Sequence, residues 1–173
     1  MSEISEELVT ETWQSMSGIS PEQARMEMGE AGREQPELLA FVLGSVTDCR
    51  PTAQELAVYL YFVIYRIFKN GTEQTLSPIP AEKIELHLTR NEELLARLEP
   101  AHSRFLERAA QMETRSQPFV VKYLVDAIME ADEGEEPVEL TEEESGTLYL
   151  VLKTAIDVLD EEMARVESVG SLE

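Results

Sequence analysis

A chain of 173 residues with 43% hydrophobic residues is too apolar to be disordered and long enough to bury a core without disulfides. Its 35 acidic residues against 14 basic ones leave a net charge of −21, which repels nucleic-acid phosphates and anionic lipid surfaces and suits a basic protein or a divalent cation. The single cysteine, Cys49, rules out an intrachain disulfide and a cysteine zinc cluster.

The low aromatic content and the Glu- and Leu-rich stretches favour helices, because straight-chain residues lose little rotamer freedom there. Met1 to Glu7 carry neither the basic nor the apolar part of a secretion signal. The first helix is expected over 5–16, with Leu8, Val9, Trp13 and Met16 on one stripe and Gly18 at its end. Ser20-Pro21-Glu22-Gln23 supplies an N-cap, a first-turn proline and a Gln able to complete a capping box, so a second helix runs from there to about Gly32. Pro36 opens a third, through Leu38, Leu39, Val42, Leu43 and Val46. Thr52-Ala53-Gln54-Glu55 has the form of another capping box, and the fourth helix extends from it to Lys69, stopped at Asn70-Gly71. This helix is apolar nearly all round and therefore belongs in the middle of the molecule. Its longest uncharged run, 56–65, is far short of the ~20 residues that span a membrane.

The loop 71–80 lies near the chain's midpoint and reads as a linker between halves 1–76 and 77–173. A fifth helix is expected over 81–99 and a sixth over 101–115, parted at Pro100. Pro118 starts a seventh with Val120, Val121, Leu124, Val125 and Ile128 inside. After the acidic loop 130–137, Thr141-Glu142-Glu143-Glu144 caps the eighth. The expected fold is all-α, one domain of about eight helices. The halves look alike. Gln35-Pro36 and Gln117-Pro118 each precede a matching apolar pattern, and a proline, a Thr-x-x-Glu box and a Tyr-Leu-bearing helix follow in both, as a duplicated four-helix unit with a pseudo-two-fold axis would show.

Candidate chemistry is sparse. Glu99 and His102 have the Glu-x-x-His spacing of helical carboxylate metal sites, but Pro100 lies between them and no second copy exists, so they are weak candidates. Runs such as Glu142-Glu143-Glu144 and Asp160-Glu161-Glu162 read as solvated helix faces. The second, towards a helix C-terminus, is the better place to meet a cationic partner. Cys49, between Asp48 and Arg50, reads as an inert thiol. Arg66 is the one charge in the central helix and needs a carboxylate if buried. Tyr59, Phe62 and Tyr65 gather around it and would line a cleft, with Arg66 as the anchor of an anionic ligand. No phosphate loop, metalloprotease, hydrolase or nucleotide motif is present, and no cofactor is implied.

These features favour a non-catalytic, cytoplasmic protein-interaction module, an adaptor, chaperone-like binder or inhibitor that engages a basic partner. It would bind neither nucleic acid nor membrane, and its oligomeric state is open. A small-molecule binder with an aromatic pocket and a metal-dependent carboxylate enzyme are the alternatives.

Overall fold

Proline and short hydroxyl side chains set where the helices begin. The computed structural model describes residues 2–97 and 116–171, and all regular structure in them is helical. Ser5 accepts from the Leu8 N–H and starts α1 (Glu6–Ser17). Ser20 accepts from Gln23, with Pro21 at the first position of α2 (Pro21–Glu34). Prolines also open α3 (Pro36–Ser45), α4 (Pro51–Asn70) and α6 (Pro118–Met129), while Pro80 precedes α5 (Ala81–Ala96). A complete capping box between Thr141 and Glu144 starts α7 (Glu142–Gly170). These are seven helices among the described residues. The expected helix over 101–115 lies outside them, as do Glu99 and His102.

The start of α4 differs from expectation. Its N-cap is Arg50 with Pro51 first in the helix, so Thr52 falls inside the first turn and forms no box. The Arg50 backbone N–H instead donates to Glu144 of α7, at 2.9 Å. The N-termini of α4 and α7 therefore meet, and the two helices run parallel through the middle of the molecule. At their far ends, Ser77, just beyond α4, donates its backbone N–H to Glu162 of α7 at 2.9 Å.

Burial follows from that centre. In α4, Leu60 to Tyr65 are buried without interruption, with Ala53, Ala57, Ile67 and Phe68. The buried face of α7 includes Leu148, Leu152, Ala155, Ile156, Leu159 and Met163. Each large aliphatic side chain fully removed from water contributes about 1.5–3 kcal/mol, so this pair dominates the core. α1 packs on α4 and α6; α5 packs on α7 and α3. The interior of α5 runs antiparallel to α7: Lys83 reaches Glu161, and further along Asn91 reaches Asp157 and Thr154.

The connection between α4 and α5 is part of the core rather than a loose linker, since Leu76 and Ile79 are buried. Gly71 suits a close approach there: Ile4 lies 3.0 Å from where a Cβ would stand, so a larger residue would have to push that side chain aside. No described helix is long and apolar enough to cross a membrane.

Two glutamines tie the fold together. The buried Gln35 accepts from the Ile79 N–H at 2.9 Å and donates to the Ser77 carbonyl at 2.9 Å. The buried Gln117 accepts from the Ile4 N–H at 2.8 Å and donates to the Ser2 carbonyl at 3.0 Å, and to Asp160 at 2.8 Å. Each side-chain amide grips the backbone of a Ser-x-Ile segment, accepting from the Ile N–H and donating to the Ser carbonyl.

Candidate functional site

The four residues singled out on the central helix do not form one cleft. Phe62 and Tyr65 are buried and Arg66 is half-buried, all on the side of α4 that α2 covers. Tyr59 is 41% exposed and lies near Tyr123 of α6, whose hydroxyl is held above its usual range by burial and then by Tyr59. Between α2 and α4 remains a crevice of about 10 Å³, lined by Glu27, Glu30, Ala31, Phe62, Tyr65, Arg66 and Lys69. That is room for a single water.

Helical spacing builds this crevice. Glu27, Glu30 and Glu34 recur at three and four residues along one face of α2, and Tyr65, Arg66 and Lys69 stand opposite on α4. Arg66 pairs with Glu27 at 3.1 Å. Lys69 pairs with Glu30 and Glu34, both at 3.0 Å. The Tyr65 hydroxyl donates to Glu34, and Lys69 also sits 5.7 Å from the centre of the Tyr65 ring. Burial opposes ionisation of Glu34, yet the Tyr65 and Lys69 hydrogen bonds outweigh it and hold its carboxyl below the usual range. Arg66 is thus the ion-pair member its position demanded, and its partner is on α2. The cation pair at Arg66 and Lys69 and the acidic stripe of α2 are both visible in the sequence; only their facing one another was missed.

The acidic runs behave differently from expectation. Successive residues on a helix point about 100° apart, so Asp160, Glu161 and Glu162 meet three different surroundings. Asp160 is buried and accepts from Gln117. Glu161 meets His87 and, at 3.7 Å, Lys83; the His87 hydrogen bond keeps its carboxyl low. Glu162 is buried, held by Arg165 at 2.7 Å and by the Ser77 N–H. Asp160 and Glu162 are thus internal scaffolding, and the exposed Glu161 is engaged by His87 and Lys83 of the same chain. In the first run, Glu142 and Glu143 are exposed but Glu144 is buried. It accepts from both N-caps, Arg50 at 2.9 Å and Thr141 at 3.0 Å, and forms an ion pair with the Arg50 guanidinium at 2.6 Å.

Cys49 is half-buried, and burial, then Glu144 and Asp48, push its thiol up. A thiol kept neutral this way is a poor nucleophile. No group of three or more metal-ligating side chains occurs among the described residues.

The densest stretch of exposed carboxylates among the described residues is the connection from α6 to α7. Glu130, Asp132, Glu133, Glu135 and Glu136 are all exposed and form no ion pair among the described residues. Their backbone is ordered by its own hydrogen bonds, Glu133 N–H to Glu130 at 3.0 Å and Val138 N–H to Ala131 at 2.8 Å. Arg50 holds the loop's far end by donating to the Glu139 carbonyl. No known protein family, curated protein or solved structure matches this chain.

Proposed function

We propose that the protein is a non-catalytic interaction module that presents the loop between α6 and α7 to a basic segment of a partner protein. The observation that carries this is the density of exposed carboxylates on this loop. The Asp160–Glu162 run and Glu144 are engaged within the chain by capping, clamps or cations; here five carboxylates stand exposed within seven residues on a folded turn, the densest such stretch among the described residues. Fixed charges of one sign raise the local concentration of an oppositely charged partner and speed its encounter. The partner's complementary chemistry is a lysine- and arginine-rich stretch. Titration with an oligolysine peptide tests this, comparing the natural chain with the variant E130Q/D132N/E133Q/E135Q/E136Q. The natural chain is expected to bind in a salt-sensitive manner, and the variant about tenfold more weakly. Equal binding by both would discard the loop as the docking surface.

We also infer that the chain arose by internal duplication. Gln35 in the first half grips Ser77 and Ile79 of the second, and Gln117 in the second grips Ser2 and Ile4 of the first. The helix neighbours correspond in the same crossed way: α1 lies against α6 and α4, α5 against α3 and α7. A pseudo-two-fold axis along the parallel α4–α7 pair relates these contacts. The Ser2 hydroxyl donates to Glu167 at 2.6 Å, so the two ends of the described chain adjoin. A permuted chain that begins at Ser77 and joins residue 173 to residue 1 by a short linker is therefore expected to unfold cooperatively. Failure of that permutant to fold would tell against interchangeable halves.

A further inference from the structure

α2 is attached to the molecule by charge more than by apolar burial. Of its 14 residues only Ala31 is buried, whereas ten are buried in α4. Met26 and Met28 point to solvent, Met26 being 69% exposed. The helix is held chiefly by Glu27 on Arg66, by Glu30 and Glu34 on Lys69, and by Glu34 on Tyr65. Its neighbours are anchored independently. α1 buries Val9, Thr12 and Met16, and the Gln35 clamp fixes the start of α3. A segment with little apolar burial between two fixed ones opens at a lower free energy than the core.

Lifting α2 changes two things together. It uncovers Phe62 and Tyr65, which now face a crevice too small for anything but water. It also withdraws three carboxylates from Arg66 and Lys69, leaving two cations beside an aromatic strip. We propose that α2 is a charge-held flap over a cryptic site on α4, which takes a small anionic aromatic molecule with its ring on Phe62 and Tyr65 and its anionic group on Arg66 and Lys69. Glu27, Glu30 and Glu34 act as built-in competitors for that anionic group, so the closed state is the empty one. Binding strength is set by how often α2 lifts, because a ligand that requires a minor state binds in proportion to its population. This site is separate from the acidic loop and does not depend on the role proposed for it.

The test uses the full chain, the variant E27Q/E30Q/E34Q and anilinonaphthalenesulfonate as probe, with hydrogen exchange followed helix by helix. In the variant, residues 21–34 are expected to exchange faster while α4 and α7 keep their protection, and the probe to bind about tenfold or more tightly than to the natural chain. Adding R66Q and K69Q to the variant is expected to return binding to the natural level. A variant with α4 and α7 still protected that binds no better overturns the proposal, as does binding indifferent to loss of both cations. Should the variant lose protection throughout, the natural chain decides. Exchange in 21–34 must quicken with added salt while α4 and α7 do not, and an α2 unaffected by salt rules out the flap.

Discussion

Glu144 is where the two central helices are joined, and its chemistry can be followed through pH. Parallel helices bring two positive dipole ends together, an arrangement that an anion between them relieves. Glu144 supplies that anion. Its hydrogen bonds from the Arg50 side chain, then from the Thr141 and Arg50 backbone, bring the carboxyl down to about 2 from 4.5. A carboxyl with a depressed folded value contributes stability that is complete above the unfolded value and is lost as pH falls through the folded one. Unfolding followed between pH 5 and 2 is thus expected to show steep acid destabilisation, and Glu144→Gln to flatten part of it while costing about 2 kcal/mol at neutral pH. Gln117 makes a second, sharper case. It is the described non-glycine residue with a left-handed backbone, φ 54, whereas Gln35 has φ −133. Replacing either glutamine strands buried polar groups, at about 2–3 kcal/mol. Glycine then relieves roughly 1 kcal/mol of backbone strain at position 117 and relieves nothing at position 35. Gln117→Gly should therefore be more stable than Gln117→Ala, and Gln35→Gly less stable than Gln35→Ala, as chemical denaturation of the four variants would show.

At the level of elements, much was legible because helix starts are local chemistry. Ser5, Ser20 and Thr141 cap where a short hydroxyl side chain precedes an apolar stripe, and the prolines at 21, 36 and 118 each take the first turn; Pro51 does so too, against the expectation that Thr52 caps that helix. The central placement of α4 followed from its lack of a polar face. What was not legible is long-range. Thr52-x-x-Glu55 and Thr141-x-x-Glu144 have the same form, but Thr52 lies inside the first turn behind Pro51 whereas Thr141 is a true N-cap, and only Glu144 reaches across to the other helix's N-cap, Arg50. The side to which each of Asp160, Glu161 and Glu162 turns depends on which helix packs there, and so does the identity of Glu27 as partner of Arg66. The seam between α5 and α7 shows the same dependence. Lys153 is buried against Asp157 at 2.6 Å, and the buried Asn91 completes the group by donating to Asp157 at 2.9 Å and to Thr154 at 3.1 Å. Removing one member of a buried pair is costlier than removing both. Lys153→Met is expected to cost about 3 kcal/mol, and Lys153→Met with Asp157→Asn appreciably less, a difference that a double-mutant cycle would register.

For the whole molecule, the net charge of −21 and the ion pairs that hold particular helices respond to salt in opposite directions. Self-repulsion of an excess of like charge destabilises the compact state, and added salt screens it. The ion pairs weaken under the same screening, but most have at least one partner well exposed to water, and exposed pairs are each worth only about 0–1 kcal/mol. Repulsion therefore prevails in global stability. Raising salt from a few millimolar to about physiological strength is expected to raise the thermal midpoint by a few degrees, since about 1 kcal/mol corresponds to roughly 2–4 °C in a chain of this size. Only α2 should run against that trend, because charge is its principal attachment. Calorimetry and helix-resolved hydrogen exchange on the same salt series separate the two effects: a rising midpoint with faster exchange in residues 21–34 is the expected pair. A falling midpoint would mean that the internal ion pairs outweigh the repulsion. The acidic surface would then be stabilised by its own cations, with less negative field left over for a partner.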